Sequence, residues 1–388
     1  MYLIGEEEIA AVRRVIESGR LFRYLEGSET SHFEQEWAQF MGVQHAITVT
    51  SGTAALICGL VGLEVGPGDE VIVPGYTFMA TALAVLAVGA VPIIAEVDES
   101  LTLNAADLEA KITPRTRVVI PVHMNGFPCD MEAIMAVARR HGLSVLEDCA
   151  QAIGGSYRGR RLGAIGDAGA FSFNSSKIIT CGEGGVLMTE RREVYERAAI
   201  EHDGGCAFWS AGLAGQTPLF AGSNFRSNEI LTAILRVQLG RLEGILAGLR
   251  AEKRRMREEL ACGRAFTLSP VHDLEGDCAT TMGLLFETGP QAQAFVKLLA
   301  DQGIPAGSPI HSGRHIYCHW EPVMNRVGAH HPARDPYRQS EVKYSPDMCP
   351  RTLSALERTA FLYPSPTRAP EDLERLIAGV KRAAGAVA

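Results

Sequence analysis

Seven short β-branched apolar runs alternate with helix-period segments between residues 45 and 190, and few folds accept such a pattern. The runs cover residues 45–49, 70–74, 91–97, 117–122, 143–147, 168–173 and 185–189, with helical segments at 53–63, 80–88 and 131–141 among them. Apolar runs of this kind need cover on both faces, which a parallel sheet flanked by helices provides. The spacing of the early runs leaves room for helical crossovers, whereas the last few follow too closely, so at least one strand must join antiparallel. The pattern predicts an α/β fold with a mainly parallel, mixed, seven-stranded sheet.

Beyond this region, residues 228–260 read as a long helix or helix pair rich in Leu, Arg and Glu, a bridge between domains. A strand at 279–287, a helix at 291–302, an irregular stretch rich in His, Pro and Arg at 307–350 and a last helix at 369–384 predict a smaller C-terminal α+β domain. The expected division is a large domain with its N-terminal segment at 1–250 and a small domain at 251–388, a size typical of a two-domain enzyme. A net charge of −8 argues against a nucleic-acid surface, which needs a clustered positive field. No run approaches the roughly eighteen uninterrupted apolar residues of a membrane span, and the N-terminus lacks a basic and apolar leader. Nine cysteines stand without a Cys-x-x-Cys pair, which predicts no metal or dithiol site and a reducing, cytoplasmic setting.

Lys177 carries the chemistry. It is one of six lysines beside thirty-one arginines, set in a polar turn between the apolar runs 168–173 and 185–189. Such a setting strips water from the ammonium form, lowers its pKa and frees the amine to attack a carbonyl. A carbanion reaction at that amine needs an electron-sink cofactor, hence a phosphate cradle, a partner for a ring nitrogen and a stacking group. Thr50-Ser51-Gly52-Thr53 leaves a strand and opens a helix, so it reads as a phosphate cradle or as an ordinary Ser/Thr cap. Asp148 follows the run 143–147 at the carboxyl edge of the sheet, where it reads as a partner for a pyridinium nitrogen or, with Glu147, as the cap of a following helix. Phe78 reads as a ring-stacking aromatic or as core.

The order of these features, with Gln151 three residues after Asp148 and Ser172 five before Lys177, resembles the DegT/StrS family of pyridoxal-phosphate-dependent sugar aminotransferases. The resemblance also rests on Gly-Asp-Glu-Val-Ile-Val-Pro at 68–74, Thr77-Phe78, Pro-Val-His at 121–123, Glu-Asp-Cys-Ala-Gln-Ala at 147–152, Gly-Asp-Ala-Gly-Ala-Phe-Ser-Phe at 166–173, Gly-Glu-Gly-Gly at 182–185 and Asn224-Phe225-Arg226. It implies a fold-type-I transferase with pyridoxal 5′-phosphate held by Lys177 as an internal aldimine, the same lysine then shuttling a proton between the donor Cα and C4′. It further implies that Asp148 pairs with the pyridine nitrogen, Gln151 sits by the ring or its 3-hydroxyl, and Phe78 stacks on the ring. Gly52, Thr53 and Ser172 would hold the phosphate, with Asn224 reaching in from the neighbouring subunit of a homodimer. Asn125, where the family usually has an aromatic, and Cys149, in place of a common small residue, depart from the pattern on the substrate side.

The implied reaction moves an amino group from glutamate or glutamine to a keto-sugar, nucleotide-linked or phosphorylated, or to a keto-cyclitol. A dehydrating branch of the family carries histidine at the position of Lys177, so lysine argues against it. A cysteine desulfurase on the same fold would need a mobile thiol, for which Cys318 and Cys349 are the candidates. A non-catalytic cofactor-sensing regulator would need a DNA-binding module, and no basic extension or helix-turn-helix pattern is found. Five histidines between 309 and 331, with Tyr317, Trp320 and Arg314, read as a substrate-facing loop or surface polarity rather than a metal site, because their spacing is loose. Arg226 and Arg314 read as phosphate contacts or as ion-pair partners.

Overall fold

The computed structural model describes residues 3–205, 217–261 and 265–388, so Cys206 and Cys262 lie outside the described residues. Strands β1 (His45–Val49), β2 (Glu70–Pro74), β3 (Val91–Ala95), β4 (Thr116–Val119) and β5 (Ser144–Asp148) are followed by a small hairpin, β6 (Ser156–Tyr157) and β7 (Arg160–Arg161), then β8 (Ala168–Ser172) and β9 (Gly185–Thr189). Seven of them form one sheet in the order β1-β9-β8-β5-β4-β2-β3. β3, β2, β4, β5 and β8 run parallel, and β9 alone opposes its neighbours β8 and β1. The antiparallel strand expected from the close spacing is therefore β9, because the turn after β8 that carries Lys177 has no helix to cross back over the sheet.

Side chains alternate between two cores, as a pleated strand requires. Val71 and Val73 of β2 enter one cluster with Leu56, Leu60 and Val85 from the helices Gly52–Gly62 and Ala80–Ala87. Ile72 enters the other with Ile134 and Val137 of the helix Met131–His141. A second, antiparallel sheet has the order β10-β11-β13-β12, from β10 (Phe266–Leu268), β11 (Met282–Phe286), β12 (Ala306–Gly307) and β13 (Thr359–Leu362). The helices Gly289–Asp301 and Pro370–Val387 cover it, burying Phe295 and Leu376. One unbroken helix, Glu229–Leu260, serves both units: Leu242, Leu246 and Leu249 lie in the large core, Met256 and Leu260 in the small one.

Two helices ahead of the sheet, Glu6–Ser18 and Glu29–Met41, were not expected. The second starts at Ser28, whose hydroxyl accepts the Ser31 N–H, and drives Phe33, Trp37 and Met41, four residues apart, into the core. There Trp37 meets Phe171 edge-on at 5.0 Å and Phe173 at 5.3 Å. The stretch 307–350, expected to be irregular, is a chain of single turns, among them Pro309–His311, Gly313–His315, Tyr317–His319 and Glu321–Met324. Asp148 belongs to β5 itself and a turn follows it, so no helix is present for Asp148 or Glu147 to cap. Among the described residues no helix is long and apolar enough to cross a membrane.

Candidate active site

A cleft of about 320 Å³ opens at the carboxyl ends of the parallel strands, where the segments that follow five of them meet. Gly52, Thr53, Phe78, Asp148, Gln151, Ser172 and Lys177 all line it; Asn224 does not. Asn224 is exposed, bridged to Asp203, and its Oδ1 accepts the Arg226 N–H at 3.2 Å.

At one end of the cleft the helix Gly52–Gly62 begins. Ser51 is its cap: the hydroxyl accepts the Ala54 N–H at 3.1 Å, which leaves the N–H groups of Gly52 and Thr53 for a ligand. Cap and cradle are thus neighbouring residues of one turn. A Cβ on Gly52 would stand 2.7 Å from Cβ of Ser172, so only glycine lets the helix start press against the end of β8 and bring the Ser172 hydroxyl beside those N–H groups.

Deeper in, Asp148 is buried, and burial pushes its carboxyl above the usual carboxylate range. Its oxygens accept the Thr81 hydroxyl at 2.9 Å and the Ala150 N–H at 3.1 Å. Thr81 in turn lies 2.8 Å from the Thr77 hydroxyl, so two threonines from the loop after β2 fix the carboxylate. Lys177 faces this group across the cleft; burial lowers the pKa of its amine, with the carboxylates of Asp148 and Glu183 opposing. Gln151 accepts the Asn125 N–H through Oε1 at 3.1 Å, which turns its NH₂ toward the cleft. Phe78 is 47 % exposed, so it is a cleft wall and not core.

Thr81 was missed in the sequence, and His315 was read there only as one of five histidines in a substrate-facing or surface loop. The segment around Ile316 runs antiparallel beside Tyr76, where the Thr77 N–H donates to the His315 carbonyl and the Met79 N–H to that of Arg314. His315 is thereby set 5.2 Å from the Phe78 ring, with Nδ1 bonded to the Ser312 carbonyl at 3.0 Å. That bond makes Nδ1 the protonated nitrogen and leaves Nε2 as an acceptor at the cleft. Burial lowers its pKa, and the nearby Lys177 amine adds to the effect. Of the five histidines in that stretch only His315 reaches the cleft; His311, His319, His330 and His331 are exposed. Arg226 pairs with Asp203 at 2.5 Å, and Arg314 stands 3.7 Å from Glu321.

Neither Cys318 nor Cys349 lines the cleft, and burial pushes the Cys349 thiol up to about 12. Among the described residues, one group has the composition of a metal site: His123, Glu147 and Cys149. Its atoms are committed elsewhere. His123 Nε2 donates to Glu147 at 3.0 Å while Nδ1 accepts the Cys129 N–H, and the Glu147 oxygens also accept the N–H groups of Gly163, Ile165 and Gly166. Glu147 therefore pins the loop behind β5 and fixes the strand end that presents Asp148.

An open cradle for an anion, a buried carboxylate and an amine of lowered pKa in one cleft fit the chemistry of pyridoxal 5′-phosphate. The carboxylate, raised by burial, gains from a cationic ring nitrogen, and the cradle has a close approach that a side chain on Gly52 would fill.

Comparison with known proteins agrees. The chain is similar to the spore coat polysaccharide biosynthesis protein SpsC of Bacillus subtilis, 47 % identical over 199 residues, 51 % of this chain and 50 % of that one. It is also similar to the dTDP-3-amino-3,4,6-trideoxy-alpha-D-glucose transaminase of Streptomyces venezuelae, 44 % identical over 61 % of each chain. A third relative is the L-glutamine:2-deoxy-scyllo-inosose aminotransferase of Streptoalloteichus tenebrarius, 40 % identical over 60 % of this chain and 58 % of that one. The matches to these curated relatives thus span about half to three fifths of their length. The solved structure of S. venezuelae DesV superposes with a TM-score of 0.79 at 33 % identity, covering 97 % of this chain and 94 % of that one. The profile of the DegT/DnrJ/EryC1/StrS aminotransferase family matches residues 3–381, and the chain belongs to that family.

Proposed function

We propose that this protein is an aminotransferase that moves an amino group from glutamate or glutamine to a keto group on a sugar or cyclitol, with pyridoxal 5′-phosphate as cofactor. The observation that carries the reading is the convergence of Lys177, Asp148 and the Gly52–Thr53–Ser172 cradle on one cleft from three separate elements. When bound, the cofactor supplies an electron sink that acidifies the carbon bearing the amino nitrogen. Gly52, Thr53 and Ser172 would hold its phosphate, Asp148 would keep its ring nitrogen protonated, Gln151 would donate to the ring oxygen, and Phe78 would cover one face.

Lys177 does the proton work. Its amine, neutral in a larger fraction than that of an exposed lysine, would take up the proton from the donor Cα and hand it on across the cleft, serving as base and then as acid in each half-reaction. Thr81 and Ala150 hold Asp148 in place during both. His315, neutral and with Nε2 open, accepts a hydrogen bond from the bound substrate.

The named relatives, a nucleotide-sugar transaminase and a scyllo-inosose aminotransferase, support a hydroxyl-rich keto acceptor. On this reading the protein is a cytoplasmic homodimer in which Asn224 reaches the phosphate of the neighbouring site. The exposed Ile9, Ile16, Leu21, Phe22 and Leu25 near the N-terminus favour a covered face there. Residues 1–250 would form the cofactor-binding domain and 251–388 the smaller domain.

The test is to mix cofactor-loaded enzyme with glutamate or glutamine and follow the visible band of the cofactor. The band disappears with the right donor and returns with nucleotide keto-sugars, phosphorylated keto-sugars or keto-cyclitols. Lys177→Ala binds the cofactor without turnover; full multiple-turnover activity in that variant would refute the assignment.

A further inference from the structure

A second cleft, of about 190 Å³, lies against the last turns of the helix Glu229–Leu260 and shares no lining residue with the first. Arg250, Lys253, Arg254 and Arg257 reach it from one helix face, spaced three and four residues apart, opposite the segment that carries Leu274 and Asp277. Its charges do not balance. Asp277 is buried and pairs with the buried Lys253, whose ammonium also lies 4.8 Å from the centre of the Phe127 ring. The other Asp277 oxygen accepts the Ala279 N–H at 2.7 Å. Arg250 reaches only the Asp277 carbonyl, through Nε at 2.9 Å, and Arg257, half-buried, has no hydrogen bond or ion pair among the described residues. Three cations, Lys253, Arg250 and Arg257, therefore share the one carboxylate of Asp277.

The remaining acids do not make up the difference. Glu275 is 3.8 Å from Arg254, with both side chains mostly in water, and the exposed Glu258 side chain makes no hydrogen bond or ion pair among the described residues. These two carboxylates are free to turn outward, whereas Arg257 lines the cleft half-buried. Burial lowers the Arg257 pKa accordingly. Leu274 and Ala279 make the wall apolar where an ester carbon would rest.

We propose that this cleft binds a small dianion, inorganic phosphate or a phosphomonoester, held between the guanidinium groups of Arg250 and Arg257. Planar guanidinium forks match phosphate oxygens, and the two arginines supply the charge that Asp277 leaves uncompensated. The site is independent of the proposed transamination.

Calorimetric titration of inorganic phosphate into cofactor-saturated enzyme tests it, because the Gly52 cradle is then already filled. One saturable site per chain is expected. Arg257→Gln and Arg250→Gln should each weaken it by about tenfold or more, the loss of one charge-assisted contact, and Glu258→Gln should tighten it by removing a like charge. In phosphate-free buffer Arg257→Gln should melt no lower than the wild type, since it removes an unpaired cation. Absence of saturable binding, or wild-type affinity in both arginine variants, would overturn the proposal. If Arg257→Gln does not fold, Arg250→Gln and Glu258→Gln still decide it by shifting the affinity in opposite directions.

Discussion

Gly52→Ala perturbs the proposed phosphate cradle with a single methyl group. The added Cβ would lie 2.7 Å from Cβ and 3.3 Å from Oγ of Ser172, whereas carbon atoms rest at about 3.5–4.0 Å, so the helix start and the end of β8 must separate by roughly 1 Å. Stability falls by up to about 3 kcal/mol: overpacking costs about 1–3 kcal/mol, and the better helix propensity of alanine returns up to about 1 kcal/mol. Binding suffers more, because the Gly52 and Thr53 N–H groups and the Ser172 hydroxyl must meet the same oxygens. Misaligning one or two bonds to a charged group, each about 1.5–3 kcal/mol, weakens cofactor affinity by roughly tenfold to ten-thousandfold. Titrating cofactor-free protein with pyridoxal 5′-phosphate by fluorescence, alongside thermal melting, separates the two effects. Adding Ser172→Gly should restore the melting temperature without restoring affinity, since it makes room but removes a donor. Wild-type affinity in Gly52→Ala would refute the claim that close approach at this glycine builds the site.

Three further outcomes follow from the same geometry. Burial raises the folded-state pKa of Asp148, so its contribution to stability is full below the unfolded value near 3.9 and is lost as pH rises through the folded value. Cofactor-free Asp148→Asn should therefore melt above wild type at neutral pH while binding cofactor more weakly, and a lower melting temperature would contradict the assigned direction. His315 has a lowered pKa, so an acid limb in the donor half-reaction should fall below the ordinary imidazole range and vanish in His315→Gln; a limb that survives belongs to another group. Because Arg250 and Arg257 remain near Asp277, Lys253→Met should cost less than Asp277→Asn, which leaves three cations unbalanced and should cost about 3–5 kcal/mol by chemical denaturation. The reverse order would refute the charge imbalance.

The sheet was legible because its signal is local: each strand is a short apolar run, and six of the seven lie parallel as that pattern requires. Strand ends moved by one to three residues, as for β3, read to Val97 but ending at Ala95. The cleft residues that were legible sit where a strand becomes a turn, a place that sequence order alone identifies. Thr81 escaped because its role is a hydrogen bond to Asp148, 67 residues away, and nothing in its own segment announces that partner. His315 escaped because four similar histidines surround it, and only the antiparallel pairing at Tyr76 and Ile316 selects it. The helix Glu29–Met41 has a local signal in the Ser28 cap and the spacing of Phe33, Trp37 and Met41, but the partners of those side chains, Phe171 and Phe173, lie more than 130 residues further along the chain.

The helix Glu229–Leu260 carries a consequence for how the molecule comes apart. At about 1.5 Å per residue its 32 residues span roughly 48 Å, and the rod is anchored in one core through Leu249 and in the other from Met256 onward. A helix frays from its ends, so melting the small core strips the C-terminal turns and propagates toward Leu249, exposing apolar surface that belongs to its neighbour. The two cores therefore share a cooperative unit, and heating should give one calorimetric transition, with protease cutting near residues 250–256 only as that transition begins.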